Sequence, residues 1–227
     1  MKWDLYLNFL AAMLAIVNPI GIWPIWSELT NDSRSSKVRR HTATLLVLTS
    51  FGILLVFLFS GQYILKFFSI DLPVFKIGGG IMLLLSGISM IQGQASQIES
   101  REEAGDTDLN LAKQRFKKII VPLVIPALAG PGSITTVILY SSRLNEMIDY
   151  VMLAAVVLVA LIALWIVFIN SSFLERRVDS VVFTVFTRIF GIIVVAIAIQ
   201  FIVEGLGDVF PNWMEGASEL EKGKNKP

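Results

Sequence analysis

Along the chain, long apolar stretches alternate with short polar ones. Six stretches are long enough to matter: Leu5–Ser27, Thr42–Leu65, Leu72–Ile91, Ile119–Ser141, Tyr150–Ser172 and Thr184–Gly205. The hydrocarbon core of a bilayer is roughly 30 Å thick and needs about 20 mostly apolar residues per helix. The pattern therefore predicts an all-α membrane protein with six transmembrane helices. Alternating strands of roughly ten residues are absent, which disfavours a β-barrel. The first stretch has a weak n-region, Lys2 beside Asp4, and no clear small-residue cleavage site. It is also too long for a signal peptide, so it reads as a retained span.

Composition agrees and removes other classes. Of 227 residues, 55% are hydrophobic and 16% charged, against roughly 45–50% and 25% in soluble domains. Mean hydropathy is +0.70. So much apolar surface cannot stay disordered in water. With no Cys, disulfide scaffolds and thiol nucleophiles are excluded, and His41 alone cannot build a His metal site. No cofactor is called for. A net charge of +1 gives no field for nucleic acid. The expected partners are the lipid bilayer and a small solute; a homo-oligomer is compatible with the chain.

Charge sets orientation. The segments after spans one, three and five carry Arg34, Lys37, Arg39 and Arg40; Arg101, Lys113, Arg115, Lys117 and Lys118; and Arg176 and Arg177. The opposite side carries Lys2, Lys66, Arg143, Lys222, Lys224 and Lys226. Short loops rich in Lys and Arg stay in the cytoplasm. Both termini are therefore expected outside and the longest loop inside.

Shifting the chain by 112 residues superposes it on itself without gaps. Pro19 falls on Pro131, Ile22 on Ile134, Lys76 on Arg188, Gly79 on Gly191 and Gly93 on Gly205. Apolar identities are common in spans, but Pro, Gly and basic matches are not. Three spans per half is an odd number, so the second half is inverted, as in many secondary transporters whose binding site lies at the repeat interface. The expected organisation is a three-helix repeat over 1–98, a cytoplasmic loop over 99–117, an inverted three-helix repeat over 118–210 and a polar tail over 211–227.

Spans one and four contain helix breakers at matched positions. One reads Asn18-Pro19-Ile20-Gly21 with Pro24, the other Gly130-Pro131-Gly132-Ser133 with Thr135 and Thr136. Proline removes an N–H and clashes with the preceding turn, and in lipid the freed backbone groups survive only inside protein or beside a wet cavity. Asn18 reads as an N-cap with Pro19 at the first helical position; Gly130-Pro131 occupies the same register. Each break then starts a half-helix near the midplane. Two positive dipole ends converge there, suited to an anionic group such as a carboxylate. The candidate solute-binding residues are Asn18, Pro19, Ile20, Gly21, Gly130, Pro131, Gly132, Ser133 and Thr135, with the Ser and Thr hydroxyls as further donors. The alternative is a pair of kinked helices shaped only for packing.

These motifs, with Gln200-Phe201 in span six, resemble the MarC family of integral membrane proteins over roughly residues 5–207. The resemblance implies six spans, an inverted repeat and a plasma-membrane location. The family includes small neutral amino acid transporters related to SnatA, which carry solutes such as glycine and alanine. A secondary transporter of such solutes is the leading expectation. H+ or Na+ coupling is compatible with the chain, though no buried Asp or Glu pair identifies the ion. A scaffold or regulator, or a channel, is the alternative.

Other polar positions are read as gating or structural. Lys76 and Arg188 match across the repeat, and Gln200 and Glu204 lie one turn apart on span six. Gly78-Gly79-Gly80 and Ser86-Gly87 allow close helix packing. Trp3, Trp23, Trp26 and Trp213 fall near span ends and fit interfacial anchoring. No catalytic group is expected: Ser133 lacks the G-x-S-x-G elbow, and no Asp pair lies deep in a span.

Overall fold

The computed structural model describes residues 3–23, 26–27, 36–93, 128–144, 146–171, 173 and 180–211. Among them are six helices: α1 (Trp3–Val17), α2 (Ser36–Phe67), α3 (Leu72–Gln92), α4 (Pro131–Ser141), α5 (Met147–Ile169) and α6 (Ser180–Val209). No strand occurs among the described residues. The expected loop over 99–117, the part of span four before Leu128, and Trp213 lie outside them, as do Arg176 and Arg177.

Four helices are continuous and apolar enough to cross a bilayer, over Arg39–Phe67, Leu72–Gln92, Met147–Ile169 and Val181–Val209. The other two are short: α1 has 15 residues and α4 has 11. At 1.5 Å per residue they span about 22 and 16 Å, less than a hydrocarbon core. These are the two segments with Pro-containing breaks. The long helices also outrun the apolar stretches that predict them. α2 starts at Ser36 rather than Thr42, and α6 runs from Ser180 to Val209 rather than Thr184 to Gly205. Apolar pattern marks only the part of a helix that meets lipid.

α3 and α6 form the tightest pair, and they run antiparallel. A Cβ on Gly80 would lie 2.9 Å from the Ala198 carbonyl oxygen, one on Gly87 3.0 Å from that of Gly191, and one on Gly205 2.7 Å from that of Pro73. Pro73, Gly80 and Gly87 face Gly205, Ala198 and Gly191 in turn, each series spaced by seven residues. Backbone meets backbone along this seam, the usual use of small residues in membranes. Gly78 has nothing within 4 Å of its Cβ position, so only part of the glycine triplet serves packing. Gly79 turns the other way, toward Thr135 on α4.

Polar contacts gather helix ends at one end of the bundle. The Tyr6 hydroxyl donates to Asp149 Oδ1 at 2.5 Å, joining the starts of α1 and α5. Gln62 Nε2 donates to the Ser141 carbonyl at 3.0 Å, joining the ends of α2 and α4. Lys76 Nζ lies 2.7 Å from Asp208 Oδ2 and 3.8 Å from Glu204 Oε2, joining the start of α3 to the end of α6. Arg143 pairs with Glu204 at 2.7 Å, joining the end of α4 to α6. Trp3 and Val209 therefore share one end. The interior is apolar: Phe9, Met13, Leu54, Leu58, Leu83, Leu139, Leu153, Leu164 and Phe168 are all buried. The outward faces are apolar too, with Leu85, Val159, Ile166, Ile192 and Val203 exposed. Exposed apolar surface on this scale suits lipid rather than water.

Candidate functional site

The first break is built around Asn18. Its N–H still donates to the Leu14 carbonyl at 3.0 Å, closing α1. Its φ is +42°, a left-handed conformation that Asn tolerates better than most residues. Its Oδ1 then accepts the Gly21 N–H at 3.0 Å, the bond from an N-cap to the third helical position. The Ile22 N–H donates to the Asn18 carbonyl at 3.1 Å and starts a new turn with Pro19 at its head. Asn18 thus ends one helix and caps the next. Gly21 is required here: a Cβ would strike the Asn18 side-chain amide and lie 2.5 Å from Thr187 Oγ1 on α6.

The second break is the start of α4. Gly130 is extended at the N-cap position, Pro131 is the first helical residue, and Ile134 N–H donates to the Gly130 carbonyl at 3.0 Å. Proline supplies no N–H, and the N–H groups of Gly132 and Ser133 have no partner among the described residues. These are the orphan donors of a helix start. A Cβ on Gly132 would lie 2.8 Å from Leu83 Cδ2 and 3.6 Å from Ile16 Cγ2. Leu83 is near the midpoint of the 21-residue α3, and Ile16 is two residues before Asn18. The two breaks therefore approach one another inside the bundle.

Of the residues singled out from sequence, Asn18, Pro19 and Gly21 are buried at the first break, with Ile20 partly buried. Gly130, Gly132, Ser133 and Thr135 are buried at the second, while Pro131 is exposed. The Thr136 hydroxyl donates to the Gly132 carbonyl at 2.8 Å, so the backbone already occupies that donor. Lys76 and Gln200 belong to the far polar cluster. Gln200 Nε2 donates to Glu204 Oε1 at 3.0 Å. Arg188 is exposed and makes no ion pair among the described residues. The two basic residues matched at the 112-residue offset are thus differently employed.

Trp23 and Trp26 depart from the interfacial role. They are 6% and 0% exposed. Trp23 stacks on Phe183 with ring centroids 4.1 Å apart, and Trp26 on Phe168 at 4.3 Å. The turn after Asn18 folds them inward, where aromatic partners on α6 and α5 receive them. Trp3 remains exposed, as an interfacial residue should be. Leu83 and Ile16 carry no polar or helix-breaking signal, Thr187 is one of several hydroxyls near the start of its span, and sequence reasoning missed all three. Asp149 was also missed. It sits in the first turn of α5 at a sequence position that looks like a loop end, yet it is buried.

The charge distribution sharpens the site. Asp4, Asp71, Glu146, Asp149, Glu204 and Asp208 are the described carboxylates, and all lie on helix ends of the terminal side. No described carboxylate neutralises the two helix starts inside the bundle. No group of three or more His, Cys, Asp or Glu side chains suited to a metal exists among the described residues.

An all-helical bundle with several apolar spans, an interrupted first segment and a helix that begins in its interior defines an integral membrane protein. The chain belongs to the MarC family of integral membrane proteins, whose family model matches residues 3–210. It is similar to the UPF0056 membrane protein of Aquifex aeolicus, at 34% identity over 202 residues, 89% of this chain and 92% of that one. A UPF0056 membrane protein of Methanocaldococcus jannaschii is 33% identical over 196 residues, 86% of this chain and 93% of that one. The UPF0056 membrane protein YhcE of Escherichia coli is 33% identical over 210 residues, 91% and 94% of the two chains. No solved structure matches the chain.

Proposed function

We propose that the protein is a secondary transporter of small neutral amino acids such as glycine and alanine. It would act in the plasma membrane as two inverted three-span halves, with both termini outside. The observation that carries this reading is the meeting of two helix starts inside the bundle. Gly132 and Ser133 offer amides without partners among the described residues, and no described carboxylate is nearby. Such a place favours a carboxylate, through aligned N–H groups and the helix dipole. The Asn18 amide and the buried hydroxyls of Ser133 and Thr135 add polar contacts around a small zwitterion.

The bundle's antiparallel α3–α6 pair and its shared end for Trp3 and Val209 are what six spans in two inverted halves require. Described basic residues Arg39, Arg40 and Arg188 lie toward the end opposite the carboxylates, in keeping with a cytoplasmic face there. Rocking of the halves would open the breaks to each side in turn, driven by an H+ or Na+ gradient. We assign no catalytic role.

Solute-dependent protection against thermal unfolding tests the reading. Glycine, alanine or serine should raise the unfolding temperature of the purified protein, and lactate or an amine lacking a carboxylate should do so less. A scaffold or regulator predicts no protection by any of them.

A further inference from the structure

Ser50 stands near the middle of α2, is 0% exposed, and its hydroxyl has no hydrogen-bond partner. That is unlike other hydroxyls on these helices. Thr44, Ser60, Thr136, Ser141 and Thr187 each donate to a carbonyl three or four residues earlier, the ordinary way a helix satisfies such a group. An orphan buried hydroxyl is costly, and more so in a membrane, where water cannot complete it.

The contacts of α2 fix its direction and depth. A Cβ on Gly61 would strike the Ile138 side chain on α4, and Gln62 reaches the Ser141 carbonyl, so the two helices run the same way. Ser50 lies eleven residues before Gly61, which is three turns and about 20° of rotation, so it occupies the same α4-facing side of α2. Seven residues back along each helix, Leu54 comes level with Pro131. Ser50 is one further turn back, about 6 Å. It therefore faces the space beyond the start of α4, where the Gly132 and Ser133 N–H groups point, since the free amides of a helix start aim back out of its N-terminus. From Ser50 to the Gly132 amide the axial separation is about 7–8 Å. A glycine zwitterion with one hydrogen bond at each end covers roughly that distance. With its carboxylate on the amides, its ammonium comes level with Ser50. An ammonium carries three donors and no acceptor, and the described carboxylates all lie on helix ends, so it needs neutral oxygens.

We propose that Ser50 is a solute-binding residue: its hydroxyl oxygen accepts a hydrogen bond from the ammonium of the amino acid whose carboxylate meets the Gly132 and Ser133 amides. The assignment rests on the transporter reading above and supplies the other end of the zwitterion's site.

The test uses the purified full chain and labelled glycine, with acetate, which has the carboxylate but no ammonium, as competitor. Ser50→Ala removes the hydroxyl and little else. Because that hydroxyl bonds to nothing in the protein, the unfolding temperature without solute should not fall. The dissociation constant for glycine should rise roughly tenfold or more, as for a bond to a charged group, while that for acetate stays as in the unaltered protein. Ser60→Ala, which removes a hydroxyl from the same helix, should leave both constants alone. Unchanged glycine affinity in Ser50→Ala overturns the assignment. So does an equal loss for glycine and acetate, which would make Ser50 a carboxylate or packing residue, and so does a lower unfolding temperature with unchanged affinity. Failure of the unaltered protein to bind any amino acid is a different result: it removes the transporter reading and the occupant assigned to Ser50 together.

Discussion

Asn18 performs three tasks with one residue, and substitutions separate them. Its backbone adopts φ +42°, its Oδ1 caps the following turn, and its N–H ends α1. Alanine at this position keeps only the N–H. Losing the cap costs about 1 kcal/mol, and holding alanine in left-handed backbone costs roughly 1–2 kcal/mol more. Asn18→Ala should therefore destabilise the protein by about 2–3 kcal/mol. Asn18→Gly loses the cap but accepts the backbone freely, so its cost stays within about 1 kcal/mol. Asn18→Asp keeps an acceptor for the Gly21 N–H and ranks between wild type and glycine in stability. Its added negative charge should also repel a carboxylate at the break, so affinity falls even though the fold persists. For a chain of this size, 1 kcal/mol corresponds to roughly 2–4 °C in Tm. Thermal unfolding in one detergent should give the order wild type, Asp, Gly, Ala, with alanine roughly 5–10 °C below wild type. An alanine variant as stable as wild type, or a glycine variant as damaged as alanine, would refute the dual role of this residue.

Three other perturbations test the packing around the site. Gly87→Leu should push α3 from α6, since a Cβ there already meets the Gly191 carbonyl oxygen at 3.0 Å; a loss of about 1–3 kcal/mol or more is expected, while Gly78→Leu, which faces open space, should unfold like wild type. Tyr6→Phe strips Asp149 of its phenol donor and should cost about 1.5–3 kcal/mol, measured as a drop in unfolding temperature that Tyr63→Phe, at an exposed position, does not share. Glu204→Gln breaks the links to Arg143 and Lys76 at a partly exposed end, so its cost should stay below about 1 kcal/mol and shrink further in high salt.

The apolar pattern located every helix among the described residues, because lipid demands long uninterrupted runs and those runs are local in sequence. The breaks were equally legible. Proline, glycine and an N-cap asparagine state their backbone consequences within four residues, and α4 begins at Pro131 as that grammar requires. What surrounds the breaks was not legible. Leu83 and Ile16 read as ordinary span residues, and only the folded bundle brings them to Gly132. Burial also misled: Trp23 and Trp26 sit near a predicted span end, but the turn at Asn18 packs them against Phe183 and Phe168 at the ends of α6 and α5 instead of leaving them exposed. Two residues with matching positions, Lys76 and Arg188, diverged for a related reason. A side chain's partner comes from another helix, and among the described residues Lys76 finds carboxylates opposite it while Arg188 does not.

Leu83 also bears on how the site is probed. Its side chain already fills the space beside Gly132, so a bulky residue at 132 displaces Leu83 and disturbs packing before it touches any solute. Flux by the unaltered protein is the cleaner measurement. Proteoliposomes containing the purified chain, loaded or diluted with labelled glycine, alanine and serine, should show saturable movement that responds to an imposed pH or Na+ gradient. Flux absent for all three amino acids, or present but indifferent to either gradient and unsaturable, would contradict a gradient-driven transporter.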